Sequence, residues 1–154
     1  MLIGLDIVIL CIGSEKVCGD MVGPLVGESL INDYNLPVYV YGNLSNSANG
    51  INIEEYYNLI ARLHSNCVLI TIDAAVGNYA DIGTIRLKQS GVSPGAALGR
   101  KLNYKSIGVI GVVAPKYGNV LNNRLVADYG EVLSISSRIT HIINNSLIPI
   151  VLND

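Results

Sequence analysis

Two short apolar runs, each delivering an aspartate, constrain this chain more than any other feature. Leu5 to Ile12 is apolar but for Asp6, breaks into a loop at Gly13 and reaches Gly19-Asp20 just before a helix signal; Cys67 to Ile72 repeats the pattern and stops at Asp73. Runs of this length, bounded by glycine or an acid, predict buried strands. In an open α/β sheet the carboxyl ends of neighbouring strands border the crevice where ligands bind. Asp20 and Asp73 are therefore expected to meet at a reaction centre.

The remaining signals alternate between strand and helix, which predicts a three-layer α/β/α domain over residues 1–154 with a mostly parallel sheet of about five strands. Pro24 opens a helix with Val22, Leu25, Val26, Ser29 and Leu30 on one face. A second strand spans Leu36 to Tyr41. Asn52 to Glu55 has the form of a capping box, followed by Tyr56, Leu59, Ile60 and Leu63 as the buried stripe of a second helix. Ile82 to Lys88 and Ile107 to Val113 read as the fourth and fifth strands. From about Val120, helical spacing from Leu121 through Ile142 predicts a long last helix that Asn144, Asn145 and Pro149 end. If the first strand lies between the second and third, the winding reverses there, and that switch point is where the two aspartates come together.

Composition supports this architecture and narrows the function. Hydrophobic residues make up 50% of the 154 and charged residues 14%, as suits a sheet covered on both faces. Asp6 within the first apolar run, and the missing basic region before it, argue for a strand rather than a secretory signal. No apolar stretch approaches the ~20 residues that span a bilayer, so a soluble cytoplasmic protein without a membrane partner is expected. The three cysteines form no CxxC pair and imply neither a disulfide framework nor a zinc site. Residues 1 to 81 hold nine acids, whereas residues 82 to 127 hold Arg86, Lys88, Arg100, Lys101, Lys105, Lys116 and Arg124 and no acid. Either folding mixes these charges, or the bases form a surface that attracts an acidic polypeptide.

The loop from Gly13 to Asp20 joins a strand to a helix and bears glycine, but it is neither GxGxxG nor a P-loop, so nucleotide binding is a weak reading and no nucleic-acid partner is expected. Glu15 and Lys16 read as solvated. His64, ending the second helix, and His141, in the last, read as surface residues without a Ser or Cys partner. Two carboxylates in one crevice of low dielectric share a proton. The ionised one can then take a proton from a water attacking a peptide carbonyl while the protonated one hydrogen-bonds the carbonyl oxygen. The structural alternatives are that Asp20 caps the following helix and Asp73 a turn after its strand.

The stretch Cys11-Ile12-Gly13-Ser14 through Gly19-Asp20-Met21-Val22-Gly23-Pro24-Leu25-Val26-Gly27 resembles the signature of the YyaC-like sporulation proteins. These are relatives of the germination protease of endospore formers and, more distantly, of hydrogenase maturation proteases. Val40-Tyr41-Gly42-Asn43-Leu44, Thr71-Ile72-Asp73-Ala74 and Ser93-Pro94-Gly95-Ala96-Ala97-Leu98-Gly99 extend the likeness in order along the chain. The resemblance implies a phosphorylase/hydrolase-like fold and a sporulation-associated peptidase with Asp20 and Asp73 catalytic, or a catalytically silent module binding a peptide in the same crevice. Gly13, Gly19, Pro94, Gly95, Ala96 and Arg100 are then expected to bind substrate, the amides of Gly95 and Ala96 serving the oxyanion. The substrate is expected to be a protein or peptide of acidic character, with a homo-oligomer left open and the forespore or mother cell as the location. In the maturation enzymes the two acids ligate a metal together with a histidine from the loop after the fourth strand. Here that loop has no histidine, so neither a metal nor another cofactor is expected.

Overall fold

The computed structural model describes residues 5–89, 106–116 and 126–151. Its centre is a five-stranded sheet built from β1 (Asp6–Cys11), β2 (Tyr39–Tyr41), β3 (Cys67–Gly77), β4 (Ile85–Lys88) and β5 (Ser106–Pro115) in the order β2-β1-β3-β5-β4. The first four strands of that order run parallel, and β4 pairs antiparallel with β5. Alternating strand and helix signals thus gave the right class of fold. The winding does reverse between β1 and β3, because the chain goes from β1 to β2 on one side and returns to β3 on the other.

Two apolar layers cover the sheet. Helix α1 (Val22–Asn32) and the long helix α3 (Tyr129–Val151) lie on one face, where Val22, Val26, Ile135 and Ile139 pack with Ile9, Ile72 and Val109. Helix α2 (Ile53–Leu63) lies on the other face, where Ile53, Tyr57 and Ile60 pack with Val8, Leu10 and Leu69. Period-two alternation in β1 and β3 divides their side chains between the layers, which is why both strands read as largely apolar runs rather than alternating ones.

Several boundaries differ from the sequence reading. The second strand loses Leu36 to Val38 because Pro37 offers no N–H to a ladder, and Val38 N–H instead donates to Leu36 O at 2.8 Å. The third strand passes through Asp73 to Gly77 rather than stopping there. The fourth begins at Ile85 because Gly83, at φ +87°, makes a turn in which Thr84 N–H donates to Asp81 O at 3.0 Å. Leu87 in that strand is 73% exposed.

The capping box at α2 is not formed. Asn52 turns its amide to the preceding loop, accepting from Asn49 N–H at 2.8 Å and donating to Ser47 O at 2.9 Å, so the polar groups of that loop take the side chain meant for the helix end. The last helix starts at Tyr129, with Asp128 accepting from Glu131 N–H at 2.8 Å as its cap. It continues through Asn144, Asn145 and Pro149 to Val151. Ile143 and Leu147 carry the buried stripe across the asparagines, and their burial outweighs the weak helix propensity of Asn.

The largest correction concerns His64. It is 5% exposed rather than on the surface, and it ties three elements together. Its Nδ1 lies 2.7 Å from Asp6 Oδ2 and its Nε2 lies 2.8 Å from the Tyr41 hydroxyl, with the Tyr39 ring 4.2 Å from the imidazole centroid. The neutral tautomer with hydrogen on Nδ1 satisfies both contacts, donating to Asp6 and accepting from Tyr41. Asp6, the acid that interrupts the first apolar run, therefore anchors the end of α2. His64→Ala is expected to destabilise the fold by about 2 kcal/mol, since it empties a buried site and removes two hydrogen bonds worth about 1 kcal/mol each. A urea midpoint unchanged from wild type would show that the chain of contacts contributes nothing. His141 is exposed, as expected, and faces Asn145 at 3.0 Å.

Candidate functional site at the carboxyl ends of β1 and β3

At the switch point the neighbouring strands β1 and β3 end at different levels. β1 ends at Cys11 opposite Ile72, and Ile12 N–H donates to Ile72 O at 2.7 Å. Beyond that point β3 keeps β5 as its ladder partner, with Asp73 opposite Ile110. The side of β3 that β1 vacates begins at Asp73. An acid after six strand residues thus marks the end of its neighbour rather than the end of its own strand.

Asp20 is brought to β3 by a different route. The loop leaving β1 closes through Ser14 N–H to Asp20 O at 3.0 Å, and Cys18–Asp20 forms a short 3-10 turn packed against β3 and α3. Cys18 Sγ donates to Ala127 O at 3.4 Å, fixing the turn to the segment before α3. Helix α1 starts two residues after Asp20, with Met21 at the cap position and no side-chain cap from it. Both aspartates are half-buried, and both take part in polar interactions. Asp73 Oδ1 accepts from Ala74 N–H at 2.8 Å. Since β3 runs on through Asp73, this carboxylate caps no turn.

The loop after β2 forms the second wall. Gly42 turns it at φ +88°, a conformation that favours glycine, and the Cβ that any other residue would add meets the carbonyl oxygen of Cys11. Ala48 then bridges to Ile12 like an added strand residue, and its carbonyl accepts from Gly13 N–H at 2.8 Å. Glu28 on α1 holds the start of this loop by accepting from Leu44 N–H at 3.2 Å. Neither Ala48 nor Glu28 stands out in the sequence. The Asn-rich stretch Asn43 to Asn52 was the signal that a structured loop lies here.

Of the residues expected to bind substrate, Gly13 is buried, with its amide committed to Ala48 and its Cβ direction filled by the Asp20 carbonyl. Gly19 is buried within the 3-10 turn. Both shape the loop. Pro94, Gly95, Ala96 and Arg100 lie outside the described residues, as does Lys101. Glu15, expected in solvent, turns back toward Ser47. Hydrogen bonds from its own main chain and from Ser47 hold its carboxyl below the usual range, and its Oε2 atom is buried without a partner. Lys16 is exposed.

The buried face of α2 is Ile53, Tyr57 and Ile60 rather than the expected stripe, of which Leu63 is 56% exposed. Tyr57 projects from α2 into the layer that contains Leu69 and is 5% exposed. On β3, Leu69, Thr71 and Asp73 share that face by alternation. Burial first, and the charge of Asp73 second, push the Tyr57 hydroxyl above its ordinary pKa. It stays a neutral phenol wherever the aspartates titrate. A groove of about 660 Å³ on the outward side of α2, between Asn52 and Arg62, is lined by neither aspartate.

The three cysteines are free, and burial raises the Cys11 thiol far above its ordinary value. Among the described residues, no group of three or more His, Cys, Asp or Glu is placed to hold a metal. Within the basic run, Arg86 pairs with Asp81 at 2.7 Å, so folding does mix part of this run with acids of the first half.

Known proteins place this geometry in context. The crystal structure of the NiFe hydrogenase maturation protease HycI from Thermococcus kodakarensis KOD1 aligns with a TM-score of 0.60 at 16% identity, covering 92% of each chain. HybD from Thermococcus kodakarensis aligns at 0.60 and 13% identity, over 93% of this chain and 99% of that one. The hydrogenase maturating endopeptidase HybD from E. coli aligns at 0.53 and 16%, over 92% and 94%. These likenesses show a shared fold. In sequence, the uncharacterized protein YyaC of Bacillus subtilis (strain 168) is 34% identical over 99 residues, 64% of this chain and 48% of that protein. The chain thus spans about half the length of the curated relative it matches. The family described as protein of unknown function (DUF1256) matches residues 2–148, and this chain, built on the fold of the hydrogenase maturation proteases, belongs to it.

Proposed function

We propose that the chain is a sporulation-associated peptidase of the germination protease kind, hydrolysing peptide bonds of a protein substrate with Asp20 and Asp73. The observation that supports this reading is that the turn ending in Asp20 packs against β3, the strand that carries Asp73. Asp20 is tied by its carbonyl to Ser14, two residues past the Ile12 that bonds Ile72, and Asp73 is the next residue of β3. The sporulation setting rests on the motifs around Asp20, Gly42 and Asp73.

In the reaction, the ionised carboxylate accepts a proton from water as its oxygen bonds to the peptide carbonyl carbon, and the protonated carboxyl hydrogen-bonds the carbonyl oxygen. On collapse the C–N bond breaks and the proton taken from water passes to the leaving amine. One water is consumed, releasing one carboxylic acid and one amine. Two nearby carboxylates supply the two required states because the first ionisation opposes the second.

An acidic substrate is favoured by the bases between residues 82 and 127, of which Lys88 and Lys116 are exposed. Attraction of this kind is screened over ~8 Å at physiological salt, so binding of an acidic peptide is expected to weaken as salt rises. Arg100→Ala combined with Lys101→Ala is expected to remove most of that dependence, and an unchanged salt slope would discard the acidic substrate. The peptidase reading is tested by incubating the purified chain with unstructured acidic polypeptides and mapping new termini by mass spectrometry. New termini that vanish in Asp20→Asn and Asp73→Asn support it. Binding without cleavage, equal in wild type and both variants, would support the silent peptide-binding module instead.

A further inference from the structure

We infer that the outward flank of α2 is a two-fold interface between two copies of this chain, their α2 helices antiparallel with Leu59 at the axis. The inference stands independently of the peptidase reading. α2 packs Ile53, Tyr57 and Ile60 against the sheet. About a third of a turn around the helix, Asn52, Glu55, Tyr56, Leu59 and Arg62 form a second stripe, which lines the groove of about 660 Å³. Leu63 continues this stripe and is exposed. Tyr56 is kept from folding over it, because its hydroxyl donates to Asn46 O at 3.2 Å and its ring stands edge-on to that of Tyr41. An apolar centre with charge at its rim is the usual anatomy of a contact between proteins.

The charges on the rim select the occupant. Glu55 and Arg62 are exposed, and among the described residues neither belongs to an ion pair. They are about two turns, or roughly 10 Å, apart along the helix, and Leu59 lies next to their midpoint. The stripe is thus its own complement. A second α2 turned end for end about Leu59 brings Glu55 beside Arg62 of the partner subunit and Arg62 beside Glu55 of the partner subunit. A two-fold interface uses the same patch on both copies, so this ion pair occurs twice and Leu59 meets its own copy at the centre. A parallel alignment of the two helices would oppose like charges at both ends, which disfavours a head-to-tail contact through the same flank.

Sedimentation velocity of the full chain over a range of micromolar concentrations tests this directly. The wild type is expected to show a reversible monomer–dimer equilibrium. Glu55→Arg alone and Arg62→Glu alone are each expected to weaken it at least about 10-fold, because both copies of the ion pair then become repulsive. An equimolar mixture of these two single variants should recover the wild-type dissociation constant to within about threefold, since every contact in the mixed dimer again joins opposite charges. That recovery is specific to the antiparallel arrangement, and both substitutions are at exposed positions, so it does not rest on a variant with an altered core. Leu59→Glu should also give a monomer, with its melting temperature compared to confirm that the chain is folded. A wild type that stays monomeric throughout would overturn the inference and leave the groove to a different occupant. A dimer indifferent to the single reversals, or a mixture no tighter than either variant by itself, would overturn it as well.

Discussion

Asp73→Asn is expected to slow peptide-bond hydrolysis by at least about 100-fold, the lower end of what a positioned acid or base contributes, with little change in melting temperature. The amide keeps the shape of the carboxylate, and its oxygen can still accept from Ala74 N–H, the contact that fixes the side chain. What is lost is the ability to take a proton. Asp20→Asn is expected to be comparably slow, since one group without the other has no partner to complete the transfer. The double variant should be little slower than either single one, because residues that act as a unit do not have additive effects. Steady-state cleavage of an acidic peptide checks all three. Activity within threefold of wild type in either single variant would remove that aspartate from the reaction.

Gly27→Ala is expected to give a loss of stability as large as that of His64→Ala. A Cβ at Gly27 would land on the carbonyl oxygen of Gly42 and lie 3.3 Å from the Cys11 side chain. Gly42 has no room to yield, since it sits at φ +88° with the Cys11 carbonyl against its own Cβ direction. The helix α1 must therefore lift from β1 and the loop after β2. Overpacking of this kind costs about 3 kcal/mol, and the better helix propensity of alanine offsets about 1 kcal/mol of it. A net loss of about 2 kcal/mol lowers the melting temperature of a chain this size by roughly 6 °C. Gly50→Ala is the control, because nothing lies within 4 Å of a Cβ there. Equal melting temperatures for the two variants would show that α1 does not depend on this close approach. Lifting α1 also loosens Glu28 from Leu44, so the wall of the crevice is expected to loosen with it.

The two glycines illustrate how legibility depends on the kind of interaction. Gly23 and Gly27 lie within the motif that carried the resemblance, and the sequence reading assigned the helix face to Val22, Leu25, Val26, Ser29 and Leu30. In the fold Gly23 and Gly27 are buried alongside Val22, Val26 and Leu30, because α1 approaches main chain rather than side chains. Hydrophobic periodicity detects side chains that seek cover and is blind to a backbone that does so. His64 was misplaced for a related reason. Helical position says that it ends α2, but its partners Asp6 and Tyr41 come from two other strands, and no local pattern encodes that meeting.

The candidate site divides along the same line. The apolar runs by themselves determined that Leu5 to Ile12 and Cys67 to Ile72 are buried strands, that alternation of strand and helix yields a largely parallel sheet, and that Asp20 and Asp73 stand near strand ends. These features follow from local spacing and the cost of exposing apolar surface, both of which can be read along one dimension. Tertiary structure alone decided that β3 continues past Asp73 while β1 stops, that Gly13 gives its amide to Ala48, that Asn52 serves its loop rather than its helix, and that Tyr57 is buried in the layer that holds Leu69. Each of these outcomes is a competition for hydrogen-bond partners or space among segments distant in sequence, and the winner is set only when the sheet and its covering helices bring those segments together.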